Sequence, residues 1–231
     1  MASDPCARVR DTCAAVAASS AHVRIADDAP LAAYAGRLAA LTHLQPPAWD
    51  EGGWHFSRDA PAGGPLTAQY VLVLDALNFC FWPSATGMEY DALASGLTRA
   101  LEADAGAFAA PALAAVDAAT LRAWLAPHDV PNVAERVRLL RELGAVLAAH
   151  FDGSAAKLVA AAGQSAVELV RLLTAHFPGF RDEVVCRGRQ TFMYKRAQIC
   201  ASDLWAAYGR QTSGPSPFAF RDINALTCFA D

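Results

Sequence analysis

The chain has 231 residues, a formal net charge of −4 and 54% hydrophobic residues, which fits one substantial hydrophobic core and is far from a disordered composition. The acidic balance argues against a protein that coats nucleic acid, because such proteins need a basic surface to displace counterions from phosphates. A mononucleotide ligand stays open, since one or two cations in a pocket can hold a single phosphate. The richness in alanine favours helices, because alanine costs least in a helix interior.

The sequence carries no targeting or metal-binding pattern. No apolar run reaches the roughly 20 residues that a membrane span requires, and the charged first ten residues do not form a secretory signal. We therefore expect a cytoplasmic protein that does not contact membranes. The six cysteines include no C-x-x-C pair, so we expect reduced thiols and no metal site. Dinucleotide, Walker A, nucleophile-elbow and zinc-peptidase motifs are absent, and we expect no cofactor.

Helical patterns dominate the first half of the chain. The apolar stretch that ends at Pro83 is longer than an ordinary buried strand, which favours a buried helix. A glycine- and proline-containing segment, residues 48–65, precedes it and predicts a long loop ordered by Trp54 and Phe56. An alanine-rich join is predicted at residues 108–111. The predicted helices span residues 6–18, 30–41, 70–82, 90–103 and 118–125.

Two polar residues interrupt the apolar stretch, Asp75 and Asn78. At a separation of three they would share one helical face. A polar pair inside an apolar segment must either form hydrogen bonds or face a cavity. A structural polar pair and a ligand-binding pair are both consistent with this pattern.

The second half of the chain has clearer helix starts. Asn132 with Glu135, and Ser165 with Glu168, each place a capping side chain three residues before a carboxylate, the reciprocal cap of a helix N-terminus. Apolar residues at helical spacing follow both. The remaining predictions are a hairpin at 184–192 turning at 187–189, a helix at 194–208, a loop at 213–217 and a last helical turn within 222–229.

The densest polar cluster runs from Tyr194 to Gln198, with Asp203 and Trp205 one to two helical turns further on. Lys195 and Arg196 could hold a phosphate, the lysine as a point charge and the arginine as a planar fork. The same residues could instead form the solvated basic end of a helix. His55 lies between two aromatic residues and could be an ordinary loop histidine, a ligand contact or a base.

Three sequence blocks together resemble the queuosine salvage proteins. They are L-D-A-L-N-F-C-F-W at 74–82, F-M-Y-K-R-A-Q-I with D-L-W at 192–205, and L-T-C-F-A-D at 226–231. The resemblance runs over nearly the whole chain, and the second block is the most specific. It implies a mostly α-helical, single-domain fold over residues 1–231, similar to helix-hairpin-helix DNA glycosylases and carrying a small β-hairpin.

The resemblance also implies hydrolysis of queuosine 5′-phosphate to queuine and ribose 5-phosphate, with no metal and no stable nucleic acid partner. A nearby carboxylate can stabilise the oxocarbenium-like sugar that forms when an N-glycosidic bond breaks. That role falls on Asp231. We expect the substrate contacts to come from Phe229 and His55 on queuine, Lys195 on the phosphate with Arg196 supporting it or bonding elsewhere, and Asp75 and Asn78.

Members of the family continue past the final block into a segment that supplies further acidic and tyrosine contacts to queuine. This chain stops at Asp231, so we expect it to lack the C-terminal part of the family domain and to have weak or no activity by itself. The alternative function is a non-catalytic helical module that binds a modified nucleotide or nucleic acid. The two functions differ in whether they require Asp231.

Overall fold

The computed structural model describes residues 4–25, 28–41 and 47–227. Those residues form ten α-helices and one two-stranded hairpin, so the predicted mostly α-helical fold with a small hairpin is confirmed. The elements are, in chain order, α1 (Pro5–Ala18), α2 (Asp28–Ala39), α3 (Pro65–Leu77), α4 (Tyr90–Ala103), α5 (Ala110–Ala115), α6 (Ala118–Leu125), α7 (Val133–His150), α8 (Ala155–Ala161), α9 (Ala166–His176), β1 (Glu183–Cys186), β2 (Arg189–Phe192) and α10 (Lys195–Ala207).

Helix α3 is the centre of the molecule. Every residue from Thr67 to Leu77 is buried, and α4, α7, α8 and α10 all pack against this helix. A helix that is apolar on all sides is stable only when neighbours cover all of its faces. Asp59 fixes the helix start, because its carboxylate accepts the backbone N–H groups of Leu66 at 2.7 Å and Thr67 at 2.9 Å.

The predicted helix at 70–82 is correct in type but wrong in extent. Helix α3 begins five residues earlier, at Pro65, and ends at Leu77. The apolar pattern of the sequence continues past the end of α3 because residues 78–81 are partly buried although they are not helical. Asn78 is therefore the residue that ends the helix and does not share a helical face with Asp75.

The other helices agree with the sequence except in two short segments. Helices α1, α4, α6, α7, α9 and α10 lie where they were predicted, and α2 begins two residues before its predicted start. Helices α5 and α8 were not predicted, because the first looks like an alanine-rich join and the second has only seven residues. Neither is long enough to show a clear hydrophobic period.

One of the two predicted caps is wrong. Ser165 accepts the backbone N–H of Glu168 at 3.0 Å, as predicted, although Glu168 itself pairs with Arg171. Asn132 makes no cap hydrogen bond. Its backbone is left-handed, with φ of 51°, and its amide donates to the sulfur of Cys80 at 3.2 Å. The asparagine thus ties the start of α7 to the segment after α3.

The hairpin is confirmed, with an antiparallel pairing that sets Glu183 opposite Phe192 and Cys186 opposite Arg189. Its two turn residues, Arg187 and Gly188, both have positive φ. A two-residue turn of this kind matches the twist of the strands, and glycine at the second position adopts it without strain. No helix in the described part of the chain is long and apolar enough to cross a membrane.

Helices α5 and α7 pack with almost no space between their backbones at Gly144. A methyl group there would overlap the backbone of Ala110 and Ala114. We expect Gly144→Ala to lower the free energy of unfolding by about 2 kcal/mol, since overpacking against backbone forces the two helices apart. Urea denaturation measures this. Gly36→Ala is the matched control, because nothing lies within 4 Å of that position in α2; an equal loss in both variants would contradict the packing argument.

Candidate active site

A cavity of about 640 Å³ opens between the loop before α3, the end of α3, the start of α4 and the first three turns of α10. That volume suits a small-molecule ligand of nucleotide size. Aromatic and ionisable side chains line it together, an arrangement that can both stack a flat ring and bond its polar edges. The lining residues are Pro47, Trp49, Trp54, His55, Asn78, Phe81, Glu89, Tyr90, Lys195, Arg196, Ile199 and Asp203.

His55 lines the cavity from the loop that precedes α3. Its ring stacks on Trp49 with centroids 4.2 Å apart, and only 8% of its side chain is exposed. Its backbone N–H donates to Asp50 at 2.9 Å. Burial lowers the pKa of His55, while Asp50 and the Trp49 carbonyl act in the opposite direction. The imidazole is therefore neutral near neutral pH.

The hydrogen bonds of His55 fix its tautomer. Nδ1 lies 3.1 Å from the Trp49 carbonyl oxygen, which can only accept, so Nδ1 carries the proton. Nε2 then accepts from the hydroxyl of Tyr90 at 2.9 Å. Tyr90 comes from the first turn of α4, and this bond joins the loop to α4 across the cavity wall. If the Tyr90 hydroxyl donates to a ligand instead, Nε2 of His55 can accept a hydrogen bond from that ligand.

Lys195 and Arg196 begin α10 but do different things. Lys195 is exposed and lines the cavity, and its backbone N–H donates to Asp182 at 2.6 Å. The Arg196 guanidinium is half-buried and donates to the carbonyls of Ala76, at 2.9 Å, and Gly179. Arg196 thus connects the end of α3 to the turn before the hairpin, as expected for the case in which it bonds elsewhere.

Asp75 is fully buried near the end of α3, and neither oxygen of its carboxylate has a hydrogen-bond donor among the described residues. Burial raises the pKa of Asp75 well above its ordinary value, and the neighbouring acid Asp203 raises it further. The side chains of Asn78, Arg196 and Cys200 oppose this rise without meeting hydrogen-bond geometry. Asn78 lines the cavity itself.

Asp203 is the acidic group that faces the cavity from α10. Asp203 is 7% exposed. Burial raises the pKa of Asp203 to about 7, and the Trp49 side chain acts in the opposite direction. Asp75 and Asp203 form a buried acid pair between α3 and α10. Two carboxyls in one desolvated site resist being ionised together, so the pair retains a proton near neutral pH.

The structure brings five of the predicted site residues to one place: His55, Asn78, Lys195 and Arg196 line the cavity, and Asp75 lies behind Asp203. Asp231 and Phe229 lie outside the described residues. Sequence reasoning missed Trp49, Tyr90 and the role of Asp203. For Asp203 a signal existed, because Lys195, Ile199 and Asp203 recur every four residues and so share one face of α10. Tyr90 offered none.

The described end of the chain lies against α10. Gln198 is fully buried, and its side-chain oxygen accepts the backbone N–H of Thr227 at 2.7 Å and the Thr227 hydroxyl at 3.0 Å. Its amide donates to the Met193 carbonyl at 3.0 Å. Gln198 therefore anchors Thr227, which lies four positions before Asp231 in the sequence. Gln198 belongs to α10, the helix that also carries Lys195 and Asp203.

Fold and cavity together define a mostly helical protein with a nucleotide-sized, partly acidic small-molecule site. A family model described as queuosine salvage protein matches residues 58–231. The chain is 40% identical to a Dictyostelium discoideum protein named queuosine 5′-phosphate N-glycosylase/hydrolase, over 99% of this chain and 71% of that protein. Proteins of the same name from Sphaerobacter thermophilus and Mus musculus are 42% and 32% identical, over 83% and 70% of this chain.

The chain belongs to the queuosine salvage protein family, as the resemblance of its three blocks predicted. It spans 60% of the length of the Sphaerobacter thermophilus relative and 51% of the Mus musculus relative.

Proposed function

We propose that this chain hydrolyses the N-glycosidic bond of queuosine 5′-phosphate and releases queuine. The observation that carries the proposal is the 40% identity, over 99% of the chain, to a relative that bears that activity in its name. The cavity supports it independently. Its volume of about 640 Å³ accommodates a nucleotide, and its wall combines flat aromatic rings with the cation of Lys195 and the acid Asp203.

Different walls of the cavity suit different parts of the substrate. Trp49, His55 and Tyr90 form an aromatic and polar side that suits a heterocyclic base, because rings stack on its faces and hydrogen bonds read its edges. Lys195, at the exposed start of α10, suits the 5′-phosphate as a compact point charge. Arg196 supports this wall from behind and does not contact the phosphate, since two backbone carbonyls engage it.

Asp231 provides the catalytic carboxylate. As the bond between base and ribose breaks, positive charge develops on the sugar, and a carboxylate beside it stabilises that charge or traps it. Water then adds to the anomeric carbon to give ribose 5-phosphate. The bonds from Gln198 to Thr227 support this assignment, since they hold the segment that leads to Asp231 against the helix of Lys195 and Asp203.

The first experiment measures release of free queuine from queuosine 5′-phosphate by chromatography, beside calorimetric binding of the substrate. We expect Asp231→Asn to retain binding while turnover falls at least 100-fold, as for removal of a group that stabilises transition-state charge. Binding without turnover, both in the unmodified chain and in a version extended through the C-terminal segment of the family, would favour the alternative, a non-catalytic module for a modified nucleotide. A folded extended version that neither binds nor cleaves the substrate would overturn both functions.

A second comparison tests the phosphate wall. We expect Lys195→Met to weaken binding of queuosine 5′-phosphate about tenfold and to leave binding of the nucleoside queuosine nearly unchanged, because one charge-assisted contact to phosphate contributes roughly 1.4 kcal/mol or more. Lys157→Met is the matched control, since Lys157 is the other lysine of the chain and lies exposed on α8, outside the cavity. Equal losses for nucleotide and nucleoside would contradict the assignment.

A further inference from the structure

The proposed function assigns no role to the buried acid pair, Asp75 and Asp203. Asp75 is fully buried with both carboxylate oxygens lacking donors in the described part of the chain. A buried ionised carboxylate without hydrogen bonds or a paired cation is strongly disfavoured. Among the described residues, Arg196 is the basic side chain that acts on Asp75, and its guanidinium donates to two backbone carbonyls instead. Asp75 is therefore poorly suited to carry a full negative charge.

Asp203 connects this buried acid to the cavity. It lines the cavity from α10 and raises the pKa of Asp75 in α3, the helix against which α10 packs. The pair thus has one member sealed in the core and one member at the ligand surface. Among the described residues, the other ionisable groups that face the pair or line the same cavity are Arg196, Lys195, Cys200, Tyr70, Tyr90, His55 and Glu89.

None of these neighbours is a better proton donor. His55 is neutral, and its single ring proton is held by the Trp49 carbonyl. Burial raises the pKa of Tyr70 and Tyr90, so their phenols are weak acids. Burial likewise raises the pKa of the Cys200 thiol. Glu89, the remaining acid on the cavity wall, is exposed.

We propose that Asp75 and Asp203 share a single proton and that Asp203 delivers it to the departing base as the N-glycosidic bond breaks. This inference rests on the proposed function. A base that leaves as an anion is a poor leaving group, and a positioned acid removes that difficulty. The assignment separates two roles, Asp231 for the sugar cation and Asp203 for the base.

The proton balance closes without any further reactant. The electrons of the bond between base and anomeric carbon go to the base, which takes the proton from Asp203 and leaves as neutral queuine. Water adds its oxygen to the anomeric carbon and gives up one proton. That proton restores the carboxyl of Asp203, and the pair returns to its starting state with ribose 5-phosphate as the second product.

The first test examines the pair without substrate. In the full chain with carbon-13-labelled aspartate, nuclear magnetic resonance follows each carboxyl against pH, with Asp75→Asn and Asp203→Asn to assign the signals. We expect one proton to remain on the pair at pH 7. If both carboxyls titrate near the ordinary aspartate pKa of about 3.9, the inference is overturned whether or not the enzyme turns over.

The second test follows turnover. We expect Asp203→Asn to lower kcat by about 100- to 10,000-fold with little change in KM. In the unmodified chain kcat should fall as the pH rises through the pKa of the pair, because the donor must be protonated, and the asparagine variant should lose this dependence. Asp203→Glu keeps an acidic proton and should recover part of kcat, which guards against a merely structural loss.

Asp104→Asn is the control for the loss of one charge, since Asp104 is exposed at the end of α4 and outside the cavity. Turnover of Asp203→Asn equal to that of the unmodified chain would overturn proton delivery. Absence of queuine release from the unmodified chain and from its C-terminally extended version would instead refute the proposed function and, with it, delivery to the base. The carboxyl titration would still decide whether the pair holds a proton.

Discussion

Replacement of Arg136 with methionine should lower the free energy of unfolding by about 4 kcal/mol, the scale of breaking a buried, fully hydrogen-bonded charged group. Arg136 is 0% exposed. Its guanidinium donates to the carbonyls of Pro131 at 2.9 Å, Phe79 at 2.7 Å, Cys80 at 3.0 Å and Leu77. Methionine fills the volume but leaves these buried carbonyls without donors. Urea denaturation at neutral pH measures the loss.

The expected loss of stability follows from the burial of the Arg136 side chain and not from its position on α7. Arg138 lies two residues further along the same helix, exposed, and pairs with Glu135 at 2.7 Å and Glu142 at 2.9 Å. Because exposed ion pairs contribute little, Arg138→Met should change the free energy of unfolding by less than about 1 kcal/mol. Losses of unfolding free energy of similar size in the two variants would contradict the argument that the buried hydrogen bonds of Arg136 stabilise the fold.

Arg136 also matters for the cavity. Burial lowers its pKa to about 10, so it stays cationic at neutral pH, and its guanidinium stacks over Phe79 at 4.6 Å. Two of the carbonyls it holds, those of Phe79 and Cys80, belong to the segment directly after α3, which contains Asn78 and leads to Phe81 on the cavity wall. The buried arginine therefore shapes one wall of the active site from behind.

The helices could be predicted wherever a hydrophobic period was long enough to recognise. Helix α4 shows this best, because its predicted and observed bounds agree at residues 90–103. The end of α3 could not be predicted. Residues 78–81 are as apolar as the helix before them, and what ends the helix is a tertiary contact, the three carbonyls that Arg136 binds from 56 or more residues away. Local propensity does not contain that contact.

Site residues were predictable where a sequence block marks the family, and poorly predictable where only packing brings them to the cavity. His55 and Lys195 came from the resemblance and do line the cavity. Tyr90 reaches His55 only because α4 folds back over the loop, across 35 positions of sequence. Asp75 looked like either a structural polar residue or a ligand contact. Its position behind Asp203 in a common desolvated site depends on the packing of α3 against α10.

The acid pair should make the protein lose stability as the pH rises, opposite to most carboxylates. Burial raises the folded-state pKa of Asp203 to about 7 and that of Asp75 well above its ordinary value. Between the unfolded pKa near 3.9 and these raised values the folded state binds more protons, so its stability falls as the pH rises through that window. Asp75→Asn removes one of the two acids. We expect this variant to gain on the order of 2 kcal/mol relative to the unmodified chain between pH 5 and pH 8, measured by urea denaturation.

The stability that His55 contributes changes with pH in the opposite direction. Burial lowers its folded-state pKa, so the unfolded state binds more protons below about pH 6.5, and the stability contributed by neutral His55 is lost as the pH falls. Both proteins contain His55, so its contribution cancels in the difference between Asp75→Asn and the unmodified chain. A pH-independent difference for Asp75→Asn would mean that Asp75 is ionised in the folded protein, against the burial and missing donors of its carboxylate.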